Sequence, residues 1–555
     1  MDQFVVPLAQ QVHQAAQTYL AQGTVAQINY AHFQEFLTTG RRDQYEAQYF
    51  ARRRQMAVLA LEAYQAADAA TVALLQEVLW ATCDEFTWAL PAHLPRHNDQ
   101  FAGDLRGCIE LFGAECGQAL ADIVSHIGAK LDPLIVTRIR DNVQTRLFEP
   151  FLAHDWFWEH SHNNWSAVIA GSIGMAALDL LAPDDPQQVA ILAKVDQILT
   201  EYLTSYSEDG ACVEGVGYWV YGFGYYLYFA KRYEAVFDDD RFLTLPKVKA
   251  IAAFPAKVQV GAGKFLPFSD YASSIVPVGL SVLCADTYDV AVPLTPQVED
   301  LDGDECYRFA HLATTLAYGR KLPEATSGNS AYFADVQWWL RRLPNGTVFA
   351  AKGGRNDESH NHLDVGEWLL GMNGTWLLTD LGAGEYTRQY FTEDTRYDYL
   401  PTSAGGHSIP EINHHDQQPG PHGATTIAAP GNQLTLALAD LYPAEAGLQT
   451  FTRTYLPQVN GVVLKDHYRF KQTTNTVCER LVTLYQPVIS EDSVQITHRD
   501  VTCIVVAHGA QITVHQLHYL DHHRRSIAVY VVCLTYQAAE ALDVTVAATL
   551  KTKEE

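Results

Sequence analysis

The stretch EWLLGMNGTWLLTD at residues 367–380 indicates how the second half of the chain folds. Two apolar segments, 367–372 and 375–380, flank Asn373-Gly374, the dipeptide preferred in a two-residue type I′ hairpin. From about residue 331 onward the apolar residues recur with a period of two, which predicts an antiparallel β-sandwich over 331–555. The other predicted strands lie at 336–343, 348–351, 433–440, 450–457, 461–470, 493–498, 501–507, 511–516 and 526–535.

The residues before about 320 have the three-to-four apolar spacing of helices. This spacing is clearest at 45–81, 166–181 and 187–202, and the breakers APDDP (182–186) and SEDGA (207–211) separate such segments. Long helices with short turns and no fixed-period repeat predict an α/α toroid over 1–325. The fold class is therefore multidomain α + β, with the boundary in TSGNS at 326–330.

The charge of the chain restricts its partners. A formal net charge of -26 over 555 residues excludes nucleic acid, because phosphate binding needs a basic surface. An anionic substrate would need a locally positive cleft. The arginines considered for this cleft are Arg41, Arg42, Arg52, Arg53, Arg54, Arg138, Arg140, Arg146, Arg355, Arg388 and Arg396.

Targeting features point to the cytoplasm. The N-terminal stretch lacks a basic region and a sustained apolar run, and no segment of roughly 18 apolar residues predicts a membrane span. The nine cysteines are scattered without CxxC spacing, as expected for free thiols in a reducing compartment. We expect a cytoplasmic protein without a membrane partner, a trimmed secreted form being the alternative; the oligomeric state stays open.

The passages ESHNHLDVGEWLLGMNGTWLLTDLGAGEY (358–386) and GGHSIPEINHH (405–415) contain the densest chemistry. His360 and His362 alternate in what begins a strand, so extended geometry places both on one face. Ideal pairing across the hairpin puts Glu367 opposite Asp380. His362 reaches Asp380 only if the chain bends near Leu363-Asp364.

Two histidines and an aspartate form the ligand set of a zinc-like divalent cation with an open position. His362 and Asp380 are two such ligands, and His407, after a Gly-Gly pair, is the best third. The alternative interpretation is a hydrogen-bonded polar layer between sheet and loop.

Two further passages belong to the helical half. In WFWEHSHNNWSAVIAGSIG (156–174), Asn163 and Asn164 open a predicted helix, for which capping is the simplest explanation. In DGACVEGVGYWVYGFGYYLYFAKRY (209–233), tyrosines fall at helical spacing, which normally indicates core packing, although the first of them could reach a cleft. These tyrosines are Tyr218, Tyr221, Tyr225 and Tyr228.

Four passages together resemble the heparinase II/III family of polysaccharide lyases. They are NNWSAVIAGSIGMAALDLL, DGACVEGVGYWVYG, SHNHLDVGEWLL with LLTDLGAGEYT, and GGHSIPEIN, and the resemblance spans roughly residues 100 to 420. It implies an α/α toroid followed by an antiparallel β-sandwich, and cleavage of uronate-containing sugars by β-elimination. In such enzymes an Asn or His neutralises the uronate carboxylate, while Tyr and His residues handle protons.

Carried over by position, the resemblance assigns a role to single residues. Asn164 binds the carboxylate, with Asn163 as the alternative; Tyr218 is the catalytic tyrosine, with Tyr221 as the alternative; and His360 is the active-site histidine. The resemblance also implies a structural divalent metal, zinc before manganese or calcium, held by His362, Asp380 and His407. It places Tyr397 in the cleft, and the full set of candidate substrate-binding residues is Tyr397, Arg388, Glu214 and Trp165.

The expected substrate is a glycosaminoglycan, with alginate as the second choice. Three other functions remain open. An α/α-toroid glycoside hydrolase would use two of the carboxylic acids Glu208, Asp209 and Glu214. A non-catalytic carbohydrate-binding protein would keep the fold alone, and a zinc hydrolase would use the metal cluster itself as its catalytic centre.

Overall fold

The computed structural model describes residues 1–98, 100–261, 263–272, 275–295, 297–322, 328 and 330–553. The chain forms two compact units: Met1–Tyr206 with Tyr218–Ala252 and Ile275–Glu324, and Ser207–Gly217 with Ala253–Ser274 and Ala325–Glu555. Two segments that precede the predicted boundary, 207–217 and 253–274, thus group with the second unit. The boundary at 326–330 stays a prediction, since residues 326, 327 and 329 lie outside the described part.

The α-helices all lie between residues 6 and 318. Among the described residues they are α1 Val6–Gln22, α2 Tyr30–Thr39, α3 Asp43–Gln65, α4 Ala69–Cys83, α5 Leu111–Ile127, α6 Pro133–Val143, α7 Glu149–Ala153, α8 Asn164–Leu180, α9 Pro186–Tyr202, α10 Val216–Phe237, α11 Pro246–Ala252, α12 Phe254–Val258, α13 Val278–Tyr288 and α14 Phe309–Tyr318. The segment 45–81 forms two helices because Asp68 caps α4, accepting hydrogen bonds from the amides of Ala70 and Thr71. No helix in the described ranges is long and apolar enough to cross a membrane.

Helix α8 is the most enclosed helix of the first unit. Its residues are apolar nearly all round, and most of them are buried. A Cβ at Gly171 would lie 2.8 Å from the carbonyl oxygen of Tyr225, and one at Gly174 would lie 2.5 Å from the ring of Phe229. The glycines therefore allow α8 to pack closely against α10.

The strands of the second half form three antiparallel sheets. The described strands are β1 Arg96–His97, β2 Gln100–Phe101, β3 Gln259–Gly261, β4 Lys264–Phe265, β5 Ser330–Phe333, β6 Trp338–Arg342, β7 Thr347–Lys352, β8 Trp368–Met372, β9 Thr375–Leu378, β10 Pro410–Ile412, β11 Thr425–Ala428, β12 Leu434–Ala437, β13 Leu448–Gln458, β14 Gly461–Phe470, β15 Asn475–Thr483, β16 Pro487–Ser490, β17 Ser493–His498, β18 Val501–Val506, β19 Gln511–Leu520, β20 Ser526–Ala538 and β21 Ala541–Thr552. The three sheet orders are β5-β6-β7-β8-β9, β11-β12-β13-β14-β21-β18-β17-β16 and β10-β15-β20-β19, while β1-β2 and β3-β4, which precede them in the chain, are two-stranded. The predicted class, a helical α/α domain followed by antiparallel sheets, is confirmed.

The hairpin at Asn373-Gly374 forms as predicted. Both residues have positive φ, 50° and 74°, and Met372 pairs with Thr375 across the turn. One buried apolar cluster collects side chains from all three sheets, among them Phe349 and Leu534. The sheets thus bury a common core within the second unit.

A buried arginine lies inside this core. Arg453 on β13 donates to Asp466 on β14 (Nη2–Oδ2 2.6 Å) and to Glu479 on β15 (Nη2–Oε2 2.6 Å). Its Nη1 donates to the carbonyl oxygens of Gly366 (2.9 Å) and Ser408 (3.4 Å). The arginine therefore ties the sheets to the loops before β8 and before β10.

Candidate active site and metal centre

The first unit has one group of candidate residues at the start of α8. Asn163 caps this helix, because its Oδ1 accepts from the amide of Trp165 at 3.0 Å. Asn164 is the first helical residue and its side chain is buried. A Cβ at Gly222 of α10 would lie 3.2 Å from both Cα and Cβ of Asn164. The capping role belongs to Asn163, while Asn164 lies where α8 meets α10.

Tyr218 lies in the first turn of α10. It precedes Gly222 by four residues, so the two share a helix face. Since Gly222 packs against Asn164, the structure places Tyr218 one helical turn from the contact that Asn164 makes. Tyr218 is partly exposed.

The later tyrosines of α10 belong to the core. Tyr221 is buried with the guanidinium of Arg308 4.0 Å from its ring centre, and burial together with the charge of Glu115 raises its pKa well above the ordinary value. Burial also raises the pKa values of Tyr225 and Tyr228 well above that value. A phenol held this firmly in its protonated form is a poor base.

The second unit has its own group of candidate residues, in the loop between β7 and β8. The prediction that His360 and His362 begin a strand is wrong: His360 has a left-handed φ of 54°, and β8 starts only at Trp368. The two rings nevertheless contact one carboxylate, that of Asp270. His360 Nδ1 lies 2.6 Å from Oδ2 of Asp270, and His362 Nε2 lies 3.0 Å from Oδ1.

Asp270 is buried at the centre of four donors. Besides the two histidines, the hydroxyl of Tyr390 and the Nη2 of Arg396 (3.1 Å) donate hydrogen bonds to this carboxylate. Burial alone would raise the pKa of Asp270, but the hydrogen bonds from His360 and His362 hold it well below its usual range. The sequence interpretation missed this residue, which stands in LPFSDY at 266–271 with no motif around it.

The other ring nitrogen of His360 faces Glu214. Its Nε2 lies 3.8 Å from Oε1 of Glu214, and the same carboxylate oxygen accepts from the hydroxyl of Ser359 at 2.6 Å. Burial lowers the pKa of His360, but the hydrogen bond to Asp270 and the charge of Glu214 outweigh it, so the net shift is upward. Glu214 therefore lies beside the candidate histidine.

Four buried side chains lie close together in and around this loop. They are His362, Asp364, Asp380 and His407, with candidate ligand atoms all within 4.8 Å of one another. The chain bends after His362, as the contact between His362 and Asp380 requires. The amide of Glu367 donates to the carbonyl of Asp364 (2.9 Å), and Gly366, with a φ of 93°, lies within this turn. Asp364 was missed, although it follows His362 by only two residues.

The hydrogen bonds of His362 leave one of its ring nitrogens for a metal, while both ring nitrogens of His407 have partners. His362 turns Nε2 toward Asp270, and His407 turns Nε2 toward the carbonyl oxygen of Pro401 at 2.7 Å. A carbonyl or carboxylate that accepts from one nitrogen leaves the other as ligand, the usual arrangement of metal-bound histidine. Nδ1 is thus the ligand atom left on His362, whereas Nδ1 of His407 lies 3.1 Å from Oε2 of Glu367.

Several polar atoms in this cluster are buried without a hydrogen-bond partner among the described residues. They are Nδ1 of His362, Oδ1 of Asp364 and Oδ2 of Asp380. Unpaired buried polar atoms are costly, and a divalent cation would satisfy all three together. Two imidazoles and two carboxylates are a donor set suited to zinc or manganese. The residues present therefore fit a divalent metal.

The charges of the cluster fit the same conclusion. Burial lowers the pKa of His362 to about 4, so its imidazole is neutral, as a ligand must be. Burial, with Asp364 nearby, raises the pKa of Glu367 well above its ordinary value, and burial with Glu367 nearby does the same for Asp380. Asp364 pairs with the buried ammonium of Lys352 at 2.5 Å.

The remaining predicted residues are more dispersed. Tyr397 donates its hydroxyl to Asn361 Oδ1 (3.0 Å), Arg388 is exposed, and Trp165 packs against Phe157 with ring centres 5.5 Å apart. Asp209 accepts from the amides of Ala211 (3.3 Å) and Ala334 (2.8 Å), so this acid holds loops in place.

Most of the arginines considered for a positive cleft are paired with carboxylates. They are Arg41, Arg42, Arg52, Arg53, Arg54, Arg138, Arg355 and Arg396.

Comparison with known proteins identifies the fold. No protein-family model matches the chain, and no curated protein sequence matches it either. A heparan sulfate lyase from Pedobacter heparinus is similar in structure, with a TM-score of 0.61 at 14% identity, over 91% of this chain and 77% of that one. A heparinase III gives 0.61 at 12% identity over 98% and 92%, and a chondroitin AC lyase of Streptomyces coelicolor A3, in complex with chondroitin sulphate, gives 0.55 at 11% over 99% and 80%. The resemblance drawn from the sequence is thus confirmed at the level of the fold, which is the heparinase-like α + β fold.

Proposed function

We propose that this protein is a polysaccharide lyase that cleaves uronate-containing glycosaminoglycan by β-elimination. The observation that supports the proposal most directly is the position of Tyr218 one turn from the contact between Asn164 and Gly222. This pair occurs in a fold shared with heparan sulfate and chondroitin lyases.

The reaction removes the proton on C5 of a uronate and expels the oxygen on C4, leaving an unsaturated sugar. Abstraction next to a charged carboxylate is difficult because it creates a dianion. An amide that donates hydrogen bonds to that carboxylate stabilises the enolate-like state, and we assign this role to Asn164. Tyr218 and His360 then handle the proton taken from C5 and the proton given to the leaving oxygen. We choose Tyr218 over Tyr221 because Tyr221 is buried beneath Arg308.

A divalent metal would be held by His362, Asp364, Asp380 and His407. When bound, it would supply positive charge to the buried carboxylates and fix the loop that carries His360. The ion would be zinc before manganese or calcium, since two imidazoles are softer ligands than calcium prefers. Its role would be structural, because these side chains are all buried.

The net charge of the chain favours some glycosaminoglycans over others as the substrate. The chain has a net charge of -26, and most of the arginines considered for a positive cleft are already paired. Each sulfate adds an anion that such a surface does not attract. We therefore favour a lightly sulfated or unsulfated glycosaminoglycan, with alginate as the alternative.

The test is incubation with hyaluronan, chondroitin, heparan sulfate and alginate while the ultraviolet absorbance of the new double bond is followed. Asn164→Ala and Tyr218→Phe are expected to lower kcat by about 100-fold or more, the usual contribution of such groups. Asn163→Ala and Tyr221→Phe are the matched controls and are expected to stay within about tenfold of wild type. A wild-type enzyme that cleaves a polymer without ultraviolet absorbance would be a hydrolase, and one silent on every uronate would not be a lyase.

A further inference from the structure

Asp270 joins the two histidines of the second unit through one carboxylate. Its Oδ2 accepts from Nδ1 of His360 at 2.6 Å and from Nη2 of Arg396 at 3.1 Å. Its Oδ1 accepts from Nε2 of His362 at 3.0 Å and from the hydroxyl of Tyr390. Each oxygen thus has one histidine and one further donor, and the side chain is 0% exposed.

The backbone of His360 needs such support. A φ of 54° places a non-glycine residue in the left-handed region, which is unfavourable for any side chain with a Cβ. A residue keeps this conformation only where its surroundings fix it. The hydrogen bond that the ring donates to Asp270, and the one that the hydroxyl of the neighbouring Ser359 donates to Glu214 (2.6 Å), hold this part of the loop in place.

We propose that Asp270 is a positioning residue that orients His360 for catalysis. By accepting from Nδ1, the carboxylate fixes the ring plane and the tautomer, so that Nε2 is the nitrogen that exchanges a proton with the sugar. Asp270 acts through His360 and does not touch the substrate. This inference rests on the proposed function, because it presumes that His360 takes part in the elimination.

The geometry gives a defined effect for Asp270→Asn. Four donors face two oxygens, so the amide nitrogen of asparagine would meet a donor on either side. We expect kcat to fall about 100-fold with KM within about twofold, since a small misplacement of a catalytic group has an effect of this size. Asp270→Glu, which keeps a carboxylate, is expected to have a kcat about tenfold higher than that of Asp270→Asn. Equal activities of the Asn and Glu variants would contradict the proposal.

A double-mutant cycle tests whether Asp270 acts through His360. In a His360→Ala background, Asp270→Asn is expected to change kcat by less than about twofold, since its target is absent. An equal fall in both backgrounds would overturn the proposal. Tyr390→Phe is the matched control: it removes one donor to Asp270, leaves the carboxylate, and is expected to keep kcat within about threefold of wild type.

A spectroscopic measurement separates this inference from the proposed function. In a long-range ¹H–¹⁵N spectrum of ¹⁵N-histidine-labelled wild-type protein, recorded in alkaline buffer, the His360 signals are assigned by their loss in His360→Gln. The expected neutral tautomer carries its proton on Nδ1, whether or not a substrate has been found. A ring with its proton on Nε2 would refute the role of Asp270, whereas the Nδ1 tautomer in a protein silent on all uronates would refute only the lyase.

Discussion

Replacement of Arg453 by methionine tests how the sheets support the loops of the candidate metal centre. The substitution leaves Asp466 and Glu479 buried without their cation, and it removes the donors to the carbonyls of Gly366 and Ser408. Removing one partner of a buried ion pair costs about 3–5 kcal/mol, because an uncompensated charge remains. At a urea m-value of about 3 kcal/mol per molar, the unfolding midpoint should fall by about 1–1.7 M.

The assay is urea unfolding followed by tryptophan fluorescence, since urea is uncharged and does not screen ion pairs. The matched control is Arg480→Met. Arg480 pairs with Glu411 (2.5 Å) and Asp416 (2.6 Å), whose side chains are partly exposed, so both carboxylates regain water and the cost should be about 1 kcal/mol. A cost below about 1 kcal/mol for Arg453→Met, or equal costs for the two variants, would refute the reasoning.

Three further predictions follow from the same structure. Chelation at neutral pH should lower the melting temperature of wild type but not of Asp380→Ala, measured by differential scanning fluorimetry. Burial lowers the pKa of His311 to about 3, so the contribution of this residue to stability should fall by about 1.4 kcal/mol per pH unit as pH drops from about 6.5 toward 3; His311→Gln should therefore lose less stability than wild type over that range in urea titrations. Gly279→Ala should destabilise by about 1–3 kcal/mol in the same assay, because its Cβ would lie 2.6 Å from the backbone of Thr314.

The strand pattern could be predicted where one face of a strand is buried and the other is wet. The predicted segments 461–470 and 493–498 coincide with β14 and β17, whose buried and open residues alternate. Strand β15 was missed. It carries Glu479 and Arg480 side by side, and both are buried because Arg453, Glu411 and Asp416 pair with them. Where charged residues are buried as ion pairs, the sequence no longer alternates between apolar and polar residues, so the strand cannot be predicted from that pattern.

The candidate site was predictable only in part. The histidines stand out because their HxH spacing is a local pattern followed closely by Asp380 and His407. The contacts that hold them come from a distance, since Asp270 precedes His360 by 90 positions in a segment with no periodic signal. The left-handed turn at His360 is equally hidden, because no glycine marks it. Local patterns thus identify which side chains do chemistry, while the pairing that orients them is a property of the tertiary fold.

The carboxylates around His362 show why ligand spacing alone understates a metal centre. Asp364, Glu367 and Asp380 are all buried within one cluster, and Lys352 is the one ammonium bonded to it among the described residues. Anions that outnumber their counterion in a low-dielectric site must bind protons or a cation. Without a metal, the raised pKa values of Glu367 and Asp380 mean that these carboxylates bind protons. A divalent ion is the alternative, and it would also bind the unpaired nitrogen of His362. Metal affinity should therefore rise with pH, since each carboxylate must lose its proton to become a ligand.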